Sequence, residues 1–162
     1  QDSMGNGRML QPGEIQLMSA GTGVAHSEFN PSRTEPLHFL QIWIVPAKRG
    51  LAPSYTEWKP SAAVRTKPDV VVISPDGRDG SAVIHQDAIV RRLLLPKNGT
   101  TQHTNGAGRG TWLQLIRGSL RVGDTTLAAG DGASTEDAGS LTITATDDAE
   151  ALLFDLGPFA TR

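Results

Sequence analysis

Residues 112–132, Trp-Leu-Gln-Leu-Ile-Arg-Gly-Ser-Leu-Arg-Val-Gly-Asp-Thr-Thr-Leu-Ala-Ala-Gly-Asp-Gly, alternate short apolar stretches with glycine-containing turn signals. Residues 112–116 and 119–122 have the length and composition of β-strands. Gly123-Asp124 and Gly130-Asp131-Gly132 have the composition of tight turns. This stretch therefore predicts short antiparallel strands joined by turns.

Similar stretches recur through the C-terminal part of the chain. Turn signals such as Pro75-Asp76-Gly77 and Asn98-Gly99 separate them, and no segment has the period of a long amphipathic helix. Many short strands at intervals of roughly 8 to 12 residues are typical of an antiparallel sandwich or barrel. An all-β fold is therefore predicted, with further strands at residues 70–74, 81–85, 89–95, 141–145 and 150–156.

The N-terminal part follows a different pattern. Residues 14–18 alternate polar and apolar side chains, as a half-buried strand does. A glycine-rich loop over residues 21–30 follows, and residues 37–45 are mostly apolar on both alternating faces. That pattern predicts a central strand covered on both sides. The mixed polarity of residues 47–65 predicts a linker between two domains, residues 1–46 and 66–162.

Composition and charge restrict the class of protein. Of the 162 residues, 38% are hydrophobic and 20% are charged, with 18 Gly and 10 Pro, which is typical of a turn-rich globular protein. The net charge is -2 and the 15 Lys and Arg residues are scattered, which argues against direct nucleic-acid binding. No apolar run approaches the roughly 20 residues of a membrane span, and no export leader is visible. We therefore predict a cytoplasmic protein without membrane contact.

His26 and Glu28 form the sharpest candidate site. The sequence contains no Cys, so any metal ligand has to be His, carboxylate or water. At positions i and i+2 of an extended segment, the two side chains leave the same face and can converge on one cation. Such nitrogen and oxygen donors suit Fe(II), Mn, Ni, Cu or Zn. The alternative is a surface loop in which His26 caps a turn and Glu28 is solvated.

The other histidines are weaker candidates. His38 lies in the apolar stretch, where a core histidine bonded to backbone is the default interpretation. His85 lies at a strand end and His103 lies in a glycine-rich loop. The chain has no Gly-x-Ser-x-Gly motif, and Gly21-Thr22-Gly23 lacks the third glycine of a dinucleotide fingerprint. Triad catalysis and phosphate-loop binding are therefore not predicted.

Several stretches resemble the pirins, a branch of the cupin superfamily with two β-barrel domains in one chain. The most specific is Met-Ser-Ala-Gly-x-Gly-x-x-His-Ser-Glu at residues 18–28, and residues 1–6, 40–44, 74–81 and 152–156 extend the likeness. The resemblance implies a cupin fold, a double-stranded β-helix or jelly-roll barrel. It implies one complete C-terminal barrel without metal ligands, plus the remainder of an N-terminal metal-binding barrel.

The resemblance also implies a metal site that is incomplete in this chain. His26 and Glu28 match the later two of the family's four ligands, three His and one Glu, and His26 with Asn30 meets the general cupin pattern His-x-x-x-Asn. The other two ligands belong to a His-x-His motif, which this sequence does not contain. We therefore expect an N-terminally truncated chain that has two ligands upstream of residue 1, binds metal weakly and exposes an apolar edge at residues 37–45. In the second barrel, residues 133–135 are Ala-Ser-Thr where a ligand histidine would be expected.

The function implied for the complete protein is a metal-dependent dioxygenase of the quercetin 2,3-dioxygenase type. It would use Fe2+ or another divalent transition metal and a small aromatic or flavonol substrate, and the truncated chain alone is expected to be inactive. His26 would be a neutral imidazole ligand, Glu28 a ligand or a catalytic base, and Gln41 a hydrogen-bond partner of a ligand. The alternative is a non-enzymatic, iron-binding regulatory protein that acts through protein partners.

Overall fold

A computed structural model describes residues 9–21 and 23–158. These residues form twelve β-strands, one short helix α1 (Ala62–Arg65) and a 3-10 turn at Arg78–Gly80, which confirms the predicted all-β fold. In the described part of the chain, neither helical segment has the length and apolarity needed to cross a bilayer. The strands are β1 Ile15–Ser19, β2 Ser54–Trp58, β3 Asp69–Ser74, β4 Ala82–Val83, β5 Ala88–Leu95, β6 Thr100–Asn105, β7 Gly110–Arg117, β8 Ser119–Val122, β9 Thr125–Ala128, β10 Gly132–Thr135, β11 Gly139–Ala145 and β12 Ala149–Leu156.

The C-terminal strands form two facing sheets. One has six strands in the order β10-β7-β12-β5-β3-β4, and the other has four in the order β6-β11-β8-β9. At the centre of the larger sheet, β12 pairs antiparallel with both β7 and β5, with Leu153 opposite Leu113 and Ala151 opposite Leu93. These residues share one face because side chains alternate along a strand.

The space between the two sheets holds the main hydrophobic core. In β7, Leu113 and Leu115 point into it and are buried, whereas Trp112 lies on the opposite face and is partly exposed. Burying one such leucine stabilises the fold by about 1.5–3 kcal/mol relative to leaving it in water. The core consists of Leu93, Leu95, Leu113, Leu115, Leu120, Leu127, Ile143, Ala145, Ala149, Ala151 and Leu153.

The N-terminal part covers the outer face of the larger sheet. Strand β1 pairs antiparallel with β2, with Leu17 opposite Thr56, and Trp58 at the end of β2 is buried. Arg92 lies 5.7 Å from the centroid of the Trp58 ring and donates hydrogen bonds to the carbonyls of Val64 and Arg65 at the end of α1. A second apolar cluster lies on this outer face. It is formed by Trp58, Val72, Ile73, Ala82, Val90 and Phe154, with Ile15, Leu17, Val64, Val70, Ile84, Leu152 and Leu156 packed against it.

The central strand predicted at residues 37–45 is wrong. The structure assigns this segment no strand, and most of its apolar side chains are exposed, with Trp43 at 86% and Val45 at 81% of full exposure. A segment that is apolar on both faces becomes a central strand only when neighbours cover both faces. Within residues 9–21 and 23–158 no such strands flank it, and its end is held by hydrogen bonds from Gln86 to the Val45 carbonyl and from Ala47 to the His85 carbonyl. The apolar exposure expected at residues 37–45 is present, but it belongs to a segment without strand structure and not to the unpaired edge of a strand.

The predicted linker, residues 47–65, contains both β2 and α1. Because β2 pairs with β1, this segment joins the N-terminal residues to the C-terminal barrel rather than only separating them. The domain boundaries at residues 46 and 65 stay a prediction. Strands β6, β9 and β10 were not predicted, and the strand predicted at 81–85 is shortened to Ala82–Val83.

Candidate functional site

His26 and Glu28 lie on the loop that follows β1, and their side chains approach each other as the i, i+2 spacing predicts. The His26 Nε2 atom is 3.9 Å from the Glu28 Oε1 atom. The side chains remain 25% and 44% exposed, respectively, so both groups are accessible from solvent. One imidazole nitrogen and one carboxylate oxygen are therefore available together to a cation at the surface of this loop.

The donor atoms of His26 and Glu28 are of the kind that bind divalent transition metals, but two donors are too few to complete a site. Imidazole and carboxylate are ligands of iron, nickel, copper, manganese and zinc, which take four to six donors. Across the described residues, no group of three or more His, Cys, Asp or Glu side chains is placed to hold an ion. His26 and Glu28 would thus supply two ligands, and the others would have to be water or groups outside the described residues.

Two side chains expected near the pair have other contacts. Asn30 donates to the carbonyl of Glu35 at 2.6 Å and accepts from the backbone N–H of Ser32, so it shapes the loop after Glu28. Gln41 is not on a strand beside the site, and among the described residues it has no hydrogen bond to His26 or Glu28. The predicted contact of Gln41 with a ligand is wrong for this structure.

Gln41 instead lines an open groove on the outer face of the larger sheet. The groove has a volume of about 370 Å³ and lies between residues 40–44 and the outward side chains of β7 and β12. Gln41 and Gln114 contribute amides to an otherwise apolar lining. The other lining residues are Leu40, Ile42, Trp43, Ile44, Trp112, Phe154 and Leu156.

Among the remaining histidines, His38 and His103 have surroundings that differ from the predicted ones. His38 is exposed rather than in a core strand, because residues 37–45 form no strand. His103 lies on β6 rather than in a loop and is buried at 6% exposure. His85 is exposed at the end of a strand-like stretch, and its carbonyl accepts a hydrogen bond from the Ala47 N–H.

His103 belongs to a buried chain of hydrogen bonds between the two sheets. Thr111 Oγ1 donates to Asn105 Oδ1 at 3.1 Å, because the Asn105 Nδ2 group donates to the carbonyls of Arg109 and Asp137. The 2.9 Å contact between His103 Nε2 and Thr111 Oγ1 therefore has the imidazole as donor. This arrangement places a hydrogen on His103 Nε2. Arg91 Nη1, which can only donate, lies 3.5 Å from Nδ1, and this contact favours the neutral ring with an unprotonated Nδ1. In the sequence, only the alternation along β6 indicated that His103 is buried.

Burial lowers the pKa of His103 below its ordinary value of 6.5. The carboxylates of Asp155 and Asp69 act in the opposite direction, and the guanidinium groups of Arg91 and Arg109 add to the decrease. Because the folded state then binds a proton less readily than the unfolded state, stability is full above the unfolded pKa and decreases as the pH falls below about 6.5.

We expect the His103→Gln variant to lose this pH dependence. Glutamine keeps an N–H donor for Thr111 but does not titrate near neutral pH. Urea unfolding at pH 7.5 and 5.5 should show a smaller decrease in the free energy of unfolding for the variant than for the wild-type chain. Ordinary carboxylate pKa values near 4 lie below this window. An equal decrease in both proteins would contradict the assignment of the effect to His103.

A second charged cluster holds the end of the larger sheet together. Arg109 donates two hydrogen bonds to the Asp87 carboxylate, at 2.9 and 3.0 Å, and one to Asp155 at 2.5 Å. The Arg109 guanidinium lowers the pKa of Asp87, and the two carboxylates raise the pKa of Arg109. Arg109 pairs with both carboxylates, so this cluster joins the residue before β7 to β12 and to the turn before β5, and it is a structural contact rather than a reactive site.

Two family models match the chain and divide it between them. Residues 71–156 match a model described as the quercetinase C-terminal cupin domain, and residues 1–44 match a model described as pirin. A quercetin 2,3-dioxygenase of Escherichia coli K12 is 44% identical over 158 residues, which are 98% of this chain and 67% of that protein. The chain belongs to the pirin family. This confirms the resemblance and the cupin fold that were predicted from residues 18–28.

Other relatives place the pirin chain in the same family. A pirin-like protein of Caulobacter vibrioides is 36% identical over 156 residues, which are 96% of this chain and 67% of that protein. The crystal structure of YhhW from Escherichia coli superposes with a TM-score of 0.92 at 41% identity and covers 100% of this pirin and 68% of that chain. A crystal structure of the bacterial pirin YhhW in complex with nickel(II) superposes with a TM-score of 0.90 at 40% identity, covering 98% and 67%.

Proposed function

We propose that this pirin acts, in its complete form, as a metal-dependent dioxygenase of the quercetin 2,3-dioxygenase type, with a flavonol as substrate. The observation that carries the proposal is the pairing of His26 with Glu28 in a chain that is 44% identical to a quercetin 2,3-dioxygenase of Escherichia coli. The nickel(II) complex of a related pirin supports a divalent metal as cofactor.

In this proposal His26 and Glu28 both serve the metal. Neutral His26 offers a ring nitrogen, and the Glu28 carboxylate offers an oxygen on the same side of the loop. A bound divalent metal ion supplies Lewis acidity and a template that brings two reactants together. Two further donors outside the described residues would complete the ligand set. Fe2+ is the metal that the family resemblance favours.

Glu28 has a second possible task in this scheme. Its carboxylate is 44% exposed, so it is accessible to a substrate hydroxyl. An ionised carboxylate placed there can accept the hydroxyl proton of a flavonol and act as a general base. In that role Glu28 would move a proton at its own oxygen while His26 keeps its lone pair for the metal.

A non-enzymatic regulatory role is the second candidate, and the exposed apolar segment at residues 37–45 favours it. Leu37, Phe39, Ile42, Trp43 and Val45 are all largely exposed. Contiguous exposed apolar surface of this kind is common at protein contact sites. In this alternative, metal binding at His26 and Glu28 would change the affinity for a protein partner rather than convert a substrate. The cytoplasm remains the proposed location for either role.

The test compares quercetin turnover with metal content. The whole gene product is treated with a chelator and then reloaded separately with Fe(II), Ni(II), Mn(II) or Zn(II), and loss of quercetin absorbance and metal per chain are measured. The enzyme proposal expects turnover to disappear on chelation and to return with at least one metal. Metal binding without turnover under any reloading condition would reject the enzyme and favour the regulatory role.

The 162-residue chain provides a second measurement of the same site. With two protein donors among the described residues, we expect this chain alone to bind a divalent metal weakly and to lose it on gel filtration. Stoichiometric metal that survives gel filtration would contradict the incomplete ligand set and would show that other groups of this chain, or of a second copy, complete it.

A further inference from the structure

The C-terminal barrel contains a cavity that neither His26 nor Glu28 lines. We propose that this cavity is a second binding site, for a neutral single-ring phenol. It lies between the two sheets of the barrel and opens to solvent on the side where Thr125 and Ser134 are exposed. It shares no lining residue with the metal-ligand pair. The inference therefore goes beyond the proposed dioxygenase function and does not depend on it.

The size of the cavity selects a small ligand. Its volume is about 160 Å³. Pockets that hold ligands of drug size have volumes of about 300–1,000 Å³, which excludes an intact flavonol with its three rings. An apolar cavity of about 150 Å³, by contrast, holds a molecule the size of benzene. One aromatic ring with a small substituent is therefore the class of ligand that the space fits.

The walls of the cavity are suited to the face and edge of such a ring. Leu113, Leu153 and Ile143 form its deep part and are 3%, 0% and 1% exposed. Ala133 on β10 and Val122 on β8 are partly buried and pack against the same core. A ring seated among these side chains gains the dispersion contacts that an empty space lacks.

Thr111 provides the polar group that distinguishes a phenol from benzene. A threonine hydroxyl has one hydrogen and two lone pairs. Its hydrogen goes to Asn105 Oδ1, and one lone pair accepts from His103 Nε2. In the described part of the chain this leaves Thr111 Oγ1 with acceptor capacity and no hydrogen to offer. A ligand that meets this oxygen has to be a donor, and a phenol O–H is one.

The charge of the lining restricts the ligand further. None of the ten described residues that line the cavity carries a charge, and their polar members are threonines and a serine. A carboxylate or an ammonium group seated among the buried Leu113, Ile143 and Leu153 would lose part of its hydration without gaining a charged partner. A phenol with a pKa near that of tyrosine, about 10, stays neutral at pH 7 and avoids this cost. The site is therefore expected to discriminate against benzoate and phenolate.

Phenol, benzene and benzoate are the probes for the first test. They are titrated at pH 7 into the full chain with 13C-labelled Leu, Val and Ile methyl groups, and chemical shifts are followed by NMR. We expect saturable shifts for phenol at Leu113, Ile143 and Leu153, weaker binding of benzene and none of benzoate. Absence of saturable phenol shifts at these residues, or equal binding of benzoate, would overturn the proposal.

The Ala133→Phe variant tests whether the cavity itself binds. The added ring is expected to fill the space and weaken phenol binding at least tenfold. Ala128→Phe is the matched control, because Ala128 is exposed on the neighbouring β9 and does not line the cavity. If Ala133→Phe fails to fold, Ala133→Val provides a smaller filling and an intermediate loss. Wild-type affinity in a folded Ala133 variant would overturn the proposal.

The Thr111→Val and Thr111→Ser variants test the hydrogen bond. Valine removes the acceptor and is expected to weaken phenol binding about fivefold to tenfold while leaving benzene binding unchanged. Serine retains the hydroxyl and should restore the preference for phenol. A purely structural role of Thr111 would weaken both ligands together. Equal losses for phenol and benzene would therefore contradict the assigned donor-acceptor contact.

Discussion

The His26→Ala variant of the whole gene product is expected to lose metal-dependent quercetin turnover by about a hundredfold or more. Loss of a residue that only orients a ligand typically costs 10-fold to 100-fold in metal affinity or activity, and removal of a ligand should cost more. Alanine removes the nitrogen that lies 3.9 Å from Glu28 Oε1. Metal per chain and the initial rate of quercetin loss, measured in parallel, show whether the two decline together.

His38→Ala is the matched control for this variant. His38 is an exposed histidine in the same part of the chain, and it contributes nothing to the His26 and Glu28 pair. We expect metal content and turnover of His38→Ala to equal those of the wild type. A second variant, Glu28→Gln, separates ligand from base, since it should reduce turnover more than metal content if Glu28 accepts the substrate proton. Full turnover in His26→Ala would remove this histidine from the site.

The Leu115→Ala variant is expected to reduce the free energy of unfolding by about 3 kcal/mol. Leu115 is 0% exposed and lies on β7 within the main core. Substituting alanine for a buried leucine costs about 2–5 kcal/mol. The protein loses the transfer free energy of the removed methyl groups, and the cavity left behind adds a further cost. Unfolding in urea, followed by tryptophan fluorescence and by circular dichroism, measures the change.

Leu37→Ala makes the same chemical change at an exposed position. Leu37 is 53% exposed, so little apolar area is lost from the folded state. Surface substitutions away from special features usually change stability by less than about 0.5 kcal/mol. A comparable loss in Leu37→Ala and Leu115→Ala would show that residues 37–45 are packed in solution, contrary to this structure. Coincident transitions of the two probes would support a single cooperative unit.

The C-terminal barrel could be predicted from sequence because its strands are marked locally. Residues 89–95 and 150–156 are mostly apolar stretches bounded by turn signals, and the structure places strands there within one residue at each end. Strands β6, β9 and β10 lack such an apolar stretch between turn residues. Residues 100–105 are Thr-Thr-Gln-His-Thr-Asn, a polar composition that does not predict a strand. In the structure they form β6, and the alternate residues His103 and Asn105 are buried and hydrogen-bonded. Burial of polar groups depends on partners that are distant in sequence.

For the candidate metal site too, features set by neighbouring residues could be predicted from the sequence, and features set by the tertiary structure could not. The approach of His26 to Glu28 follows from i, i+2 geometry, so the sequence could predict it. The environment of Gln41 could not be predicted in this way. The apolar pattern of residues 37–45 is the same whether neighbouring strands cover it or not, and only the tertiary structure decides which occurs. Identity of the metal likewise depends on donors beyond this pair.

The pairing of β1 with β2 has a consequence for the order of folding. Residues 20–53 separate the two strands, whereas β8 and β9 are joined by the Gly123-Asp124 turn alone. Closing a long loop costs more chain entropy than closing a tight hairpin, and non-local pairs form more slowly. We therefore expect the barrel to form first and to provide the surface on which Trp58 and β1 settle. The loop carrying His26 would then acquire its native position in the last kinetic phase, so in the refolding whole gene product metal uptake should lag behind recovery of the barrel.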